Sequence, residues 1–170
     1  MGNNGCKGGL AFKACELVKK NKKMPDEDSF KKNCALKKME NTVFLNVINC
    51  CTLSMNDHFN NITKNLCEFG PMSAFISAGR PSFQFAKEGI YHEDDCGWPL
   101  NHEVLLVGYN GTDKNHSYWI VKNSFGTSWG DNGFLKISTK ANKAGCTIIG
   151  DVSFPELKPV IAKHFVYLYY

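Results

Sequence analysis

Two polar residues stand where this sequence could do chemistry. His102 opens the apolar run Asn101-His102-Glu103-Val104-Leu105-Leu106-Val107-Gly108, and Asn123 closes a second apolar run, Tyr118 to Val121. A histidine at the start of a strand has a fixed backbone. To shuttle a proton its ring must also be held in one orientation and one tautomer. A side-chain amide oxygen accepting the Nδ1 proton would do this without adding a charge. Beyond Asn123 come glycines at 126, 130 and 133, with Phe125 and Trp129 between them. Turns need glycine, but they do not need two large rings. Phe125 and Trp129 therefore read as a lid that keeps water from the His102–Asn123 hydrogen bond. Taken singly, a histidine on an apolar strand is ordinarily a satisfied core residue, and an asparagine before glycines is a turn former.

The surrounding elements must bring these residues together. Short β-branched and aromatic runs predict strands over Val43–Ile48, Met72–Ser77, Glu103–Tyr109, Tyr118–Val121 and Phe134–Ser138. After Gly8-Gly9, the stripe Leu10, Ala14, Leu17, Val18 predicts a helix ended by Lys19–Lys23. Met24–Lys38 reads as polar loop. A second helix fits between Asn56 and Phe69, stopped by Gly70-Pro71. Pro155–Tyr170 reads as a tail. A short helical start followed by many strands is an α+β pattern.

Composition narrows the classes. The chain has 170 residues, 43% hydrophobic and 21% charged, as in ordinary globular proteins. No apolar run approaches the roughly 20 residues of a membrane span. The net charge of +4 is concentrated in residues 1–40, where lysines come in pairs. No aromatic stacking pattern accompanies them, so they read as a solvated face, with no nucleic-acid partner expected. The eight cysteines, with the sequons at Asn61, Asn110 and Asn115, lean toward a secretory or lysosomal origin. There is no C-x-x-C pair, and neither a metal nor a cofactor is expected.

Five stretches resemble one family. Gly5-Cys6-Lys7-Gly8-Gly9 resembles G-C-x-G-G, and Gly70-Pro71-Met72-Ser73 resembles G-P-[IVM]-S. Phe83–Tyr91, the run from Asn101-His102 to Val107-Gly108-Tyr109, and Lys122–Gly133 complete the set. The last is long and specific, K-N-S-W-G-x-x-W-G-x-x-G with Phe125 at the first Trp. Together, from about Asn3 to Pro155, they resemble the papain-like cysteine peptidases of cathepsin L type. The resemblance implies an α+β fold: a remnant of the helical lobe over 1–41, an antiparallel β-barrel lobe over 42–155, and a tail over 156–170.

The resemblance also implies roles. His102 is the catalytic base and Asn123 its orienting amide. Gly8, Gly9 and Leu10 line the substrate cleft, with Phe125 and Trp129 roofing the site. Cys96 pairs with Cys146. Cys6 and Cys34 have their family partners before residue 1, so Cys6 either pairs with Cys34 or mediates disulfide dimers. The pairing of Cys15, Cys50, Cys51 and Cys67 stays open. Three positions depart from the pattern: Phe125, Glu103 where the family generally has Ala or Gly, and Thr147 where it has Gly. Glu103 and Asp151 border the pocket for the second substrate residue before the scissile bond. Two carboxylates there favour Lys or Arg; alternatively Glu103 turns away and pairs with a surface Lys.

The nucleophile is the largest departure. The family's cysteine lies roughly 130–150 residues upstream of its His and Asn. Counting back from His102 passes Met1, and no cysteine here fits C-G-[SA]-C-[WY]. A base and its orienting amide cannot attack a peptide without the thiolate. The expectation is a truncated, inactive peptidase, lysosomal or extracellular, whose partners are peptide or protein substrates. The alternative is a non-catalytic module that binds peptides or a protein partner.

Overall fold

A computed structural model describes residues 3–4, 7–25, 42–54, 59–92, 99–111, 117–139 and 149–158. Cys6, Cys34, Cys96, Cys146 and Thr147 lie outside the described residues. So do the polar segment beyond Pro25 and the chain from residue 159 onward.

Among the described residues there are three helices and nine strands. Helix α1 (Ala11–Asn21) and strands β1 (Lys23–Pro25) and β2 (Thr42–Phe44) come first. Then follow β3 (Val47–Leu53), α2 (Phe59–Phe69), β4 (Met72–Ile76), α3 (Pro81–Gln84) and β5 (Ile90–Tyr91). The last four are β6 (His102–Asn110), β7 (Tyr118–Lys122), β8 (Phe134–Ser138) and β9 (Ile149–Leu157). Seven strands form one sheet in the order β3-β9-β4-β6-β7-β8-β5, and β1 pairs with β2 separately. Every ladder is antiparallel except β5 with β8. The α+β architecture expected from the sequence is the one observed.

The core lies on one face of this sheet. Period-2 alternation buries Met72, Ala74 and Ile76 on β4, Val104 and Leu106 on β6, Val121 on β7, and Leu135 and Ile137 on β8. Helix α2 closes that face with Ile62 and Leu66, one turn apart. Phe59 stacks near Trp119, with ring centroids 4.9 Å apart, and Phe69 stacks on Phe154 at 5.2 Å. Gly70 ends the helix as expected. Its φ of 84° is open to glycine, and its N–H donates to Leu66 O at 3.0 Å.

Three sequence expectations shift. The Val43–Ile48 run is not one strand: β2 stops at Phe44 and pairs with β1, while β3 starts at Val47 and pairs with β9. The residues expected as a tail from Pro155 include the end of β9, which runs to Leu157. Pro155 fits because beyond Ser153 the strand pairs only with β3, so its missing N–H breaks no second ladder. Finally, α1 does not use the expected stripe. Leu10 and Leu17 are exposed, at 41% and 55%, and no residue of α1 is fully buried. The half-buried residues are Ala11, Cys15, Val18 and Lys19. A disulfide from Cys15 to Cys50 on β3 turns that side toward the sheet. Cys50 and core-facing Cys51 are neighbours on a strand, so α1 lies on the face opposite α2.

Candidate active site

The His102–Asn123 pair forms from two adjacent strands. In the β6–β7 ladder Leu105 faces Lys122, and extending that register by one residue sets Asn123 opposite Val104. His102 is two residues before Val104 and shares its face, so it is the diagonal neighbour of Asn123. The side chains meet there: His102 Nε2 lies 2.8 Å from Asn123 Oδ1. Asn123 is 8% exposed, and its own N–H donates to Gly133 O at 2.9 Å, which fixes the end of β7.

The amide orientation decides the tautomer. Asn123 Oδ1 also accepts the Ser124 backbone N–H at 2.7 Å. A backbone N–H only donates, so the atom it meets is the amide oxygen. That oxygen cannot donate to the ring, so Nε2 carries the proton. The sequence reading placed Nδ1 against Asn123; the structure places Nε2 there instead. Nδ1 is left with its lone pair, as a general base requires.

Both rings expected as the lid are present. The Phe125 ring sits 5.0 Å from the His102 ring at a tilt of 32°. Phe125 itself is 44% exposed and is held by Trp129 in an edge contact at 5.6 Å. Trp129 is the anchor: it is buried, packs on Phe83 at 5.2 Å, and donates Nε1–H to Phe83 O at 3.0 Å. The glycines between the rings are needed because the loop doubles back. At Gly130, with φ of 61°, a Cβ would strike the carbonyl of Phe134.

The other expected residues are less concentrated. Gly8, Gly9 and Leu10 are exposed. They precede α1 and are braced at Leu10 by Asn3, whose side chain accepts Leu10 N–H at 2.8 Å and donates to Leu10 O at 2.9 Å. The link from this segment to the His102 strand is Glu103, whose Oε1 accepts the Ala11 N–H at 3.1 Å and the Ser73 hydroxyl at 3.0 Å. The carboxylate is therefore held by a helix end and a serine, where a surface Lys was the alternative expected. Asp151 is exposed on β9, where the β4–β9 register shifts between Ala74 and Ile76.

The described cysteines sit elsewhere. Cys15 and Cys50 form the disulfide, and the Cys67 sulfur lies 4.0 Å from the Tyr109 hydroxyl. Cys51 is on edge strand β3, where burial first and Glu156 second push its thiol up. The described residues contain no cluster of His, Cys, Asp or Glu able to hold a metal, and no helix long and apolar enough to cross a membrane. Sequence reasoning missed the Glu103 and Asn3 contacts. Glu103 was visible only as a charge at a position usually small; Asn3 carried no signal.

A histidine held through one nitrogen by a buried amide, with the other nitrogen free, has the geometry that the base half of a Cys-His-Asn site requires. The comparisons agree with that class. The chain belongs to the papain family: the model described as "Papain family cysteine protease" matches residues 1–156. It is similar to "Cathepsin J" of Rattus norvegicus, 37% identical over 164 residues, covering 92% of this chain and 48% of the relative. It is also similar to "Cathepsin L2" of Homo sapiens, 37% identical over 165 residues, with the same coverages. Among solved structures, the proform of the Amb a 11 cysteine protease, a ragweed pollen allergen, superposes with a TM-score of 0.75 at 29% identity. That match covers 93% of this chain and 49% of the other. Digestive procathepsin L2 from Tenebrio molitor gives 0.73 at 30% identity, covering 90% and 49%. The chain spans about half the length of the curated relatives it matches.

Proposed function

We propose that this chain supplies the base and orienting amide of a cysteine-type peptidase site. His102 would take the proton of a cysteine thiol and later give it to the leaving amine. Asn123 would hold the ring in the tautomer that leaves Nδ1 free. The observation that carries this is the Nε2–Oδ1 contact of 2.8 Å, with the oxygen identified by Ser124 N–H. Peptides would lie along Gly8–Leu10, with Phe125 and Trp129 roofing the ring and Glu103 and Asp151 bordering the pocket two residues before the scissile bond. The substrates would be peptides or proteins in a lysosomal or extracellular setting. The 170-residue chain by itself would be inactive, because none of its described cysteines is positioned as the thiolate.

The test joins this chain to the nucleophile-bearing segment of an active family member and assays fluorogenic peptides at mildly acidic pH. The chimera turns over, His102→Ala abolishes the turnover, and the 170-residue chain alone is inert. A chimera that is inactive, or indifferent to His102→Ala, overturns the role of His102. Turnover by the chain alone that His102→Ala abolishes overturns the inactivity.

A further inference from the structure

We infer that Glu103 is a positioning residue that sets the register of the Gly8–Ala11 segment against the strand carrying His102. Helix α1 lacks the means to finish its own start. Its N-cap residue, Leu10, makes no side-chain cap hydrogen bond, and its first turn holds no acidic residue. The first N–H groups of a helix point outward unpaired and carry a partial positive charge. Glu103 meets this need from 92 residues away: its Oε1 accepts the N–H of Ala11, the first residue of the helix. Ser73 Oγ donates to the same oxygen at 3.0 Å and so aims the carboxylate. Ser73 sits on β4, paired with Leu105, so the serine and the glutamate are diagonal neighbours on one face. The clamp is therefore built from β4, β6 and the start of α1 together.

Its position gives it consequence. Glu103 adjoins His102, and successive strand residues point to opposite faces. The ring meets Asn123 on one face while the carboxylate holds α1 on the other. Just ahead of Ala11, Leu10 is tied by both its N–H and its carbonyl to the Asn3 side chain, and a Cβ on Gly9 would strike that same side chain. Leu10 is thus braced by Asn3. Glu103 connects the next residue, Ala11, to the strand that carries the base. The functional meaning rests on the proposed peptide-binding role of Gly8–Leu10; the clamp itself does not.

Two arms test it separately. In the intact 170-residue chain, amide exchange is followed at Ala11. Glu103→Ala accelerates it roughly ten- to a hundred-fold, the loss expected for a hydrogen bond to a charged group. Glu103→Gln, which keeps a carbonyl acceptor, restores much of the protection, and Ser73→Ala falls between. The bonds of β4 to β6 exchange as in wild type. Unchanged Ala11 exchange in Glu103→Ala overturns the clamp, as does equal acceleration across β4 and β6. In the peptidase chimera, Ser73→Ala, which frees the Glu103 carboxylate without removing it from the pocket border, raises KM several-fold while kcat holds, because the peptide-binding segment shifts and the His102–Asn123 pair does not. A fall in kcat at constant KM overturns the assignment as a register device.

Discussion

The Cys15–Cys50 disulfide is the strongest restraint on α1, and removing it should release the helix without disturbing the sheet. The helix buries no residue completely, so apolar packing contributes little to its docking. An 11-residue helix is marginal in water by itself, so once undocked it unfolds. The bond joins residues separated by 35 in sequence. Closing a loop of about 36 residues removes about 13 cal/mol/K from the open chain, or about 3.8 kcal/mol at 25 °C. Losing that restraint multiplies the open population of α1 by roughly 500-fold, at 1.4 kcal/mol per tenfold. The perturbation is Cys15→Ser with Cys50→Ser, which leaves no unpaired partner behind. The assay is amide exchange monitored segment by segment. The helix amides of α1 should accelerate by that factor, or up to the rate of an open chain, while β6, β7 and β8 hold. Acceleration below tenfold in α1 would show that packing holds the helix and that the loop argument is wrong. Equal acceleration in the sheet would show that the disulfide staples the whole fold.

Asn123→Ala in the peptidase chimera should lower kcat roughly a hundred-fold with KM little changed, since the ring loses its orientation and not its contact with substrate; an unaltered kcat counts against the orienting role. Trp129→Phe removes the Nε1–H that the Phe83 carbonyl accepts and leaves that carbonyl only its bond from the Ala86 N–H. Urea unfolding should show a loss of about 0.5–1.5 kcal/mol, that of one ordinary hydrogen bond, and no measurable loss would mean the indole N–H does not contribute.

The sequence was most informative where one residue type answers one local demand. Phe134–Ser138 alternates cleanly, and its strand has the predicted bounds. Gly70-Pro71 stops α2 because its φ suits glycine. His102 and Asn123 were legible as a pair because each ends an apolar strand beside motif residues. What was not legible depends on partners distant in the chain. Val43–Ile48 looks continuous, yet β2 and β3 find different neighbours. The Leu10–Leu17 stripe has the helix period, but a cross-link at Cys15 decides which side meets the sheet. The choice between Nδ1 and Nε2 turns on the Ser124 amide, whose role no spacing announces. Glu103 reads as an isolated charge until the fold brings Ala11 to it.

The way α1 is attached sets which chemical stresses it answers to. Denaturant sensitivity and heat-capacity change both scale with the surface exposed on opening. A helix held by one disulfide, one carboxylate and the Lys19–Asn49 hydrogen bond, with Leu10, Phe12 and Leu17 already partly in solvent, has less apolar surface to expose than the sheet. Its release leaves only a faint mark on a urea titration or a calorimetric baseline. The sheet, with Met72, Ile76, Leu106 and Ile137 fully buried, carries nearly all of that response. The two parts of the chain therefore answer to different environments: the sheet to denaturant and temperature, and α1 to the thiol redox balance of its surroundings.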